Sequence, residues 1–174
     1  MSEIIADRYT TEIDHPFVVF LIGMRVNKFL AFNKWVKVAG AFPRMVQVLE
    51  EHPEKGFLAG EQFMRFFPLT SIMVSYWRSF EDLERFARAK DDPHAEAWRK
   101  FNREVGYSGD VGIWHETYAV EPGRYEALYG NMPLFGLAKA TGKVLPVRPG
   151  ALRYARGRLK GHDEPVAAEL EVYE

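Results

Sequence analysis

Ser71-Ile72-Met73-Val74-Ser75-Tyr76-Trp77-Arg78 reads as a β-strand with two distinct faces. Met73, Ser75 and Trp77 alternate with Ile72, Val74 and Tyr76, the period-two pattern of a strand. Upstream, Phe17-Val18-Val19-Phe20-Leu21-Ile22-Gly23-Met24 is a β-branched and aromatic run, which predicts a strand buried on both faces and ending near Arg25. Between the two the period becomes helical. Phe32, Trp35, Val36 and Ala39 share a face, followed by Val46 and Leu49. Gly40 and Pro43 divide residues 29–52 into two helical pieces. Residues 56–66 supply another strand, ended by Phe66-Phe67-Pro68.

Downstream of Arg78, Ser79 is the expected N-cap of a helix, with Asp82 at the capping-box position. Phe80, Leu83, Phe86 and Ala87 form its apolar stripe. Asp92-Pro93 restarts a helix, with Pro at its first position. Ala95, Trp98, Phe101 and Val105 continue the buried face, and Gly106 and Gly109 close it. Val111 to Val120 is a fourth strand, and Glu121-Pro122-Gly123 a turn. The order β-α-β-β-α-β is the ferredoxin-like arrangement of an α+β domain. Its helices cover one sheet face. The other, apolar, face needs a partner, so a homodimer follows.

These elements define a domain over residues 15–146. A polar N-terminal arm, 1–14, precedes it and is expected to be loosely held. Within the domain, Tyr125 to Leu137 carries Asn131-Met132-Pro133 and Gly136 and reads as an ordered loop or short helix roofing a pocket. A C-terminal tail, 147–174, follows. There Arg148, Arg153, Arg156, Arg158 and Lys160 precede Glu164, Glu169, Glu171 and Glu174. Tyr154 among those cations would suit a base-stacking role, but a solvated tail is the reading adopted, and no nucleic-acid partner is expected.

Composition narrows the function classes. The chain has 174 residues, 47% of them hydrophobic, enough for one domain with its own core. Its net charge of -1 gives no global field for nucleic acid or anionic membrane. The absence of cysteine excludes disulfides, thiolate chemistry and Cys-ligated metals. No signal peptide is visible, and the apolar run 17–24 is far short of the ~20 residues that span a bilayer. The expected location is cytoplasmic, with no membrane partner. Aromatic residues reach 14%, which suits an aromatic core or a cavity for a flat, apolar ligand.

Standard motifs fail. His115-Glu116 begins a zinc-protease signature, but Ala119 stands where the second His belongs. Gly142-Lys143 is followed by Val144, so no phosphate loop forms. Gly106, Gly109 and Gly112 have the wrong spacing for a dinucleotide fingerprint. There is no Gly-x-Ser-x-Gly elbow.

The fourth strand remains. Val111, Ile113, His115, Thr117 and Ala119 share one face, and Trp114, Glu116, Tyr118 and Val120 the other. Polar groups on a central strand need partners. Glu116 would pair with Arg25 or Arg78, and His115 with a backbone carbonyl. The functional reading makes one face a cavity wall. His115 could then take a proton from a phenolic or enolic substrate whose carbanion meets dioxygen, with no cofactor. Alternatively His115 could ligate a non-covalent haem.

Three stretches resemble the bacterial and fungal monooxygenase-like family, long recorded as a domain of unknown function. They are Tyr76 to Leu83, Gly112 to Tyr118, and Tyr125 to Leu137, and the resemblance covers residues 15–140. That family is similar to the antibiotic-biosynthesis monooxygenases. The resemblance implies a dimeric α/β barrel and a small-molecule monooxygenase-like enzyme, with a haem-dependent enzyme of the aldoxime-dehydratase kind or a non-catalytic ligand-binding dimer as the alternatives. The expected catalytic residues are His115, Glu116 and Tyr118. Arg25, Trp77, Trp114, Asn131 and Phe135 are expected to bind substrate. No metal is expected unless His115 holds haem.

Overall fold

The computed structural model describes residues 3–89, 99, 103 and 105–159. Its main sheet has four antiparallel strands in the order β3-β4-β2-β5. They are β2 (Phe17–Val26), β3 (Phe57–Arg65), β4 (Thr70–Trp77) and β5 (Val111–Val120). Helices α1 (Phe32–Ala39) and α2 (Ala41–Glu51) join β2 to β3, and α3 (Phe80–Arg88) follows β4. This is the expected ferredoxin-like topology. The helical face expected from Ala95, Trp98 and Phe101 lies outside the described residues. Val105, at its end, is buried, and Gly106 and Gly109 follow with positive φ.

Strand alternation sets the core. Val18, Met24 and Val26 of β2, Met73 and Trp77 of β4, and Val111 of β5 point to the helix side. There they meet Met45 and Leu49 of α2 and Leu83 and Phe86 of α3. Trp77 is fixed by edge contact with Phe57, centroids 5.5 Å apart, and a tilted contact with Phe86 at 5.6 Å. Its indole N–H donates to Ser75 Oγ (3.0 Å), which donates to the Phe20 carbonyl (3.0 Å). A buried hydroxyl is thus satisfied twice.

The helix division falls at Gly40, which closes α1 and opens α2. Pro43 sits in the first turn of α2, where a missing N–H costs nothing. Ser79 caps α3 as expected, accepting from the Asp82 amide at 3.1 Å. The Asp82 carboxylate does not reach back to complete a box. It accepts from Arg78 Nε and Arg85, each at 2.7 Å. The capping box ordinarily uses the longer Glu or Gln at this position.

The arm and the tail differ from expectation. Residues 5–10 form a strand, β1 (Ile5–Thr10), the centre of a second sheet ordered β6-β1-β7. Its partners are β6 (Tyr129–Met132) and β7 (Leu145–Pro146). Polar composition suggested an arm, but Tyr9 and Thr10 are buried. Tyr9 stacks on Tyr129 at 4.9 Å and donates to the Pro133 carbonyl at 2.6 Å. Helix α4 (Leu137–Thr141) completes this unit. Of the tail, residues 147–159 are described and include α5 (Ala155–Arg158). Arg158 anchors them to Glu126 at 2.5 Å. Among the described residues no helix is long and apolar enough to cross a membrane.

Candidate active site

The second face of the main sheet carries the odd residues of β2 and the even residues of β4 and β5. Pairing fixes their neighbours. Tyr76, Val19 and Tyr118 form one rung; Val74, Leu21 and Glu116 the next; Ile72, Gly23 and Trp114 the next; Thr70, Arg25 and Gly112 the last. At the Phe17 end this face is covered. Ile13, Phe17 and Leu137 pack there with Val19, Tyr76, Val120, Tyr125 and Ala140.

Between sheet and cover lies an open cleft of about 370 Å³. Its floor is Phe17, Val19, Tyr76 and Val120, and its roof runs from Tyr125 to Tyr129 with Leu137. The roof is tied down by side chains distant in sequence. Tyr125 meets Phe17 edge-on at 5.3 Å, and its hydroxyl accepts from the Ile13 amide at 2.5 Å. Thr10 Oγ1 donates to the Ala127 carbonyl at 2.7 Å. The Tyr129 hydroxyl accepts from the Ala138 amide at 3.2 Å. Burial pushes the Tyr76 and Tyr129 phenols above the ordinary tyrosine range, so both stay protonated.

Glu116 and Tyr118 are exposed on the same sheet face, beside the floor of the cleft. Tyr118 pairs with Val19 and stands two residues from Val120, both floor residues. The Tyr118 hydroxyl donates to Glu116 Oε2 along the strand. That bond raises the Tyr118 phenol, because deprotonation would set a phenolate beside a carboxylate. The pair is a carboxylate oriented by a phenol, beside a wall of aromatic rings.

His115 lies on the opposite, helix-side face. It pairs with Ile22, and its ring is 5.7 Å from Phe20. A second open cleft of about 300 Å³ exists on that side, between α2 and β3. Its lining is more polar, with Gln47, Glu50, Glu61 and Gln62, and His115 is not part of it.

The remaining expected site residues scatter. Trp77 is a core side chain, 1% exposed on the helix side, and lines neither cleft. Trp114 lies on the second face, its indole over Gly23. Arg25 is on that face but two rungs beyond Leu21, the partner of Glu116, or about 13 Å along the strand, so the two do not pair. Arg78 binds Asp82 instead of Glu116. Asn131, at φ 51°, accepts from the Asp7 amide at 3.0 Å and so holds β1 in place. Phe135 meets Phe63 of β3 edge-on at 6.1 Å, across the sheet from Glu116. Tyr76, Tyr125 and Tyr129 were not singled out by sequence. Alternation already put Tyr76 on the second face, and the roof segment holds the other two.

The profile of the monooxygenase af470-like family matches residues 17–137. Monooxygenase af470 of Aspergillus fumigatus is 28% identical over 159 residues, covering 88% of this chain and 52% of that protein. The chain thus spans about half the length of the curated relative it matches. Among solved structures, the aldoxime dehydratase OxdRE in complex with butyraldoxime aligns with TM-score 0.56 at 13% identity, over 69% of this chain and 37% of that one. SnoaB, a cofactor-independent oxygenase of Streptomyces nogalater, aligns with TM-score 0.43 at 11% identity, over 60% of this chain and 93% of that one.

Proposed function

Because this chain belongs to the monooxygenase af470-like family, we propose that it is a monooxygenase-like enzyme acting on an apolar or aromatic small molecule without a nucleotide cofactor. The observation that carries this reading is the aromatic cleft, with Tyr118 on the rung of its floor residues Val19 and Tyr76 and Glu116, bonded to Tyr118, on the next rung of the same face. Flat rings of Tyr76, Tyr125 and Phe17 suit an aromatic substrate, and the polar groups at one end would fix its orientation. Glu116 takes a proton from an activated CH2 beside the substrate's ring, and Tyr118 holds the carboxylate in position. The carbanion passes electrons to dioxygen. A C–O bond forms and the O–O bond breaks, leaving a carbonyl on the substrate and one water. Walls of the cleft exclude solvent from the carbanion.

The uncovered part of the second face, with Leu21, Ile72, Val74 and Trp114, is apolar and flanks the site. A second copy packed there would close a barrel over the cleft's open side, so the proposed working unit is a homodimer.

Oxygen consumption with a panel of phenolic and enolic aromatics tests the assignment. Glu116→Gln is expected to lower kcat by about 10²-fold or more with little change in KM. Tyr118→Phe should cost less, and His115→Ala nothing. The reverse ranking, with His115→Ala inactive and Glu116→Gln active, would move the site to the helix side. A haem ligated by His115 needs a slot wide enough for a porphyrin against that imidazole. The aromatic cleft lies on the sheet face opposite His115, so the substrate site proposed here is not one that a His115-bound haem would serve. A Soret shift on haem addition, absent in His115→Ala, would reverse that conclusion.

A further inference from the structure

We infer that the end of the main sheet remote from the cleft is a peripheral docking surface for a membrane with anionic headgroups. Strand register brings three loops together there. Val26 ends β2 beside Val111, which opens β5; Arg25 pairs with Thr70, which opens β4; and Arg65 ends β3 opposite Thr70. The loops after β2, between β3 and β4, and before β5 therefore share one end of the domain.

Each loop tip is apolar and bare. Phe29 and Leu30 are 67% and 98% exposed, Phe66 and Phe67 are 83% and 92% exposed, and Tyr107 is fully exposed. Phe32, at the start of α1, is also exposed. Single exposed apolar residues are ordinary, but exposed pairs on two neighbouring loops with a bare tyrosine on a third are an interaction surface. The tips are also held in place. Trp35 Nε1 donates to the Phe29 carbonyl at 3.0 Å, and its ring contacts Phe32 edge-on at 4.8 Å. Arg65 donates to Thr70 Oγ1 at 3.1 Å across the β3–β4 turn. Presenting these side chains therefore requires little further ordering.

Charge selects the partner. Among the described residues, Arg25, Lys28, Lys34 and Arg65 belong to this end, with Asp110 as the acid beside them. Asp110 is spent on Lys28 at 2.8 Å and Lys34 at 2.5 Å, so the described residues of this end are net positive in a chain whose total charge is -1. Apolar tips fringed by cations match the boundary between acyl chains and anionic headgroups. A second copy of this chain would instead bring like charges together.

Vesicle cosedimentation with the full chain tests this. The protein should pellet with phosphatidylcholine vesicles containing phosphatidylglycerol, and at least fivefold less with phosphatidylcholine alone. Raising salt from about 0.1 to about 1 M should weaken the binding, as screened charges require. The double variant Leu30→Ser/Phe67→Ser should keep its far-UV circular dichroism and lose about tenfold or more of the vesicle binding. Equal pelleting with both vesicle types, or unchanged binding by the folded double variant, overturns the proposal. So does a double variant that changes only self-association in sedimentation velocity, which would make the occupant a second copy.

Discussion

Gly23 and Trp114 show how one missing side chain shapes the second face. A Cβ on Gly23 would sit 2.7 Å from Trp114 Nε1 and 2.9 Å from the Ser71 carbonyl. The indole can swing away, but the backbone oxygen of the neighbouring strand cannot. Gly23→Ala is therefore expected to cost about 2 kcal/mol in denaturant unfolding and to shift tryptophan emission as Trp114 is displaced. Asp110 makes a different point. Lys28 and Lys34 hold its carboxyl well below the usual carboxylate range. Its folded-state pKa is depressed, so its contribution is present above the unfolded value near 4 and is lost as pH falls. The Tm difference between the native chain and Asp110→Asn should be large at pH 7 and shrink between about pH 4 and pH 2.

Elements differ in how far their sequence announces them. β2 was legible as a continuous β-branched and aromatic run, and β4 as apolar residues repeating at the period of a pleated strand, although part of the second face they share is left uncovered in the single chain. α3 was legible through its cap, and Ser79→Ala should cost about 1 kcal/mol in thermal unfolding. β1 was not. Ile5-Ala6-Asp7-Arg8-Tyr9-Thr10 is polar in composition, and its partners lie more than a hundred residues away, as in Tyr9 opposite Tyr129. No local pattern carries such a pairing. Tyr9 nevertheless does core work, and Tyr9→Ala is expected to cost about 3 kcal/mol. The candidate site divides along the same line. Alternation alone separates His115 from Glu116. The convergence of Tyr76, Tyr125 and Tyr129 depends on cross-strand register and on a roof fixed by Ile13 and Thr10, and no window of sequence contains both.

At the scale of the molecule, the uncovered sheet face is the feature with most at stake. Leu21→Asp places a charge in its middle and should convert a dimer to a monomer in sedimentation velocity, with the fold retained. Charge is uneven at this scale too: a total of -1 conceals one cationic, aromatic end and one end closed by the small sheet. That small sheet has a consequence in time. The main sheet starts from a tight pairing, β3 with β4 across residues 66–69, and its long-range pairing, β2 with β5, runs the full length of both strands and so offsets its closure, whereas β1 and β6 share a short, interrupted register. β1 must find β6 across almost the whole described chain. Closing so long a loop costs entropy before its contacts reward it. The roof should therefore assemble last during folding and open first in native-state hydrogen exchange, with amides of β1 and β6 exchanging well before those of β2 and β4. If that order holds, the floor of the cleft persists as a rigid plate while its cover breathes, and ligand entry is timed by the slowest-made contacts in the protein.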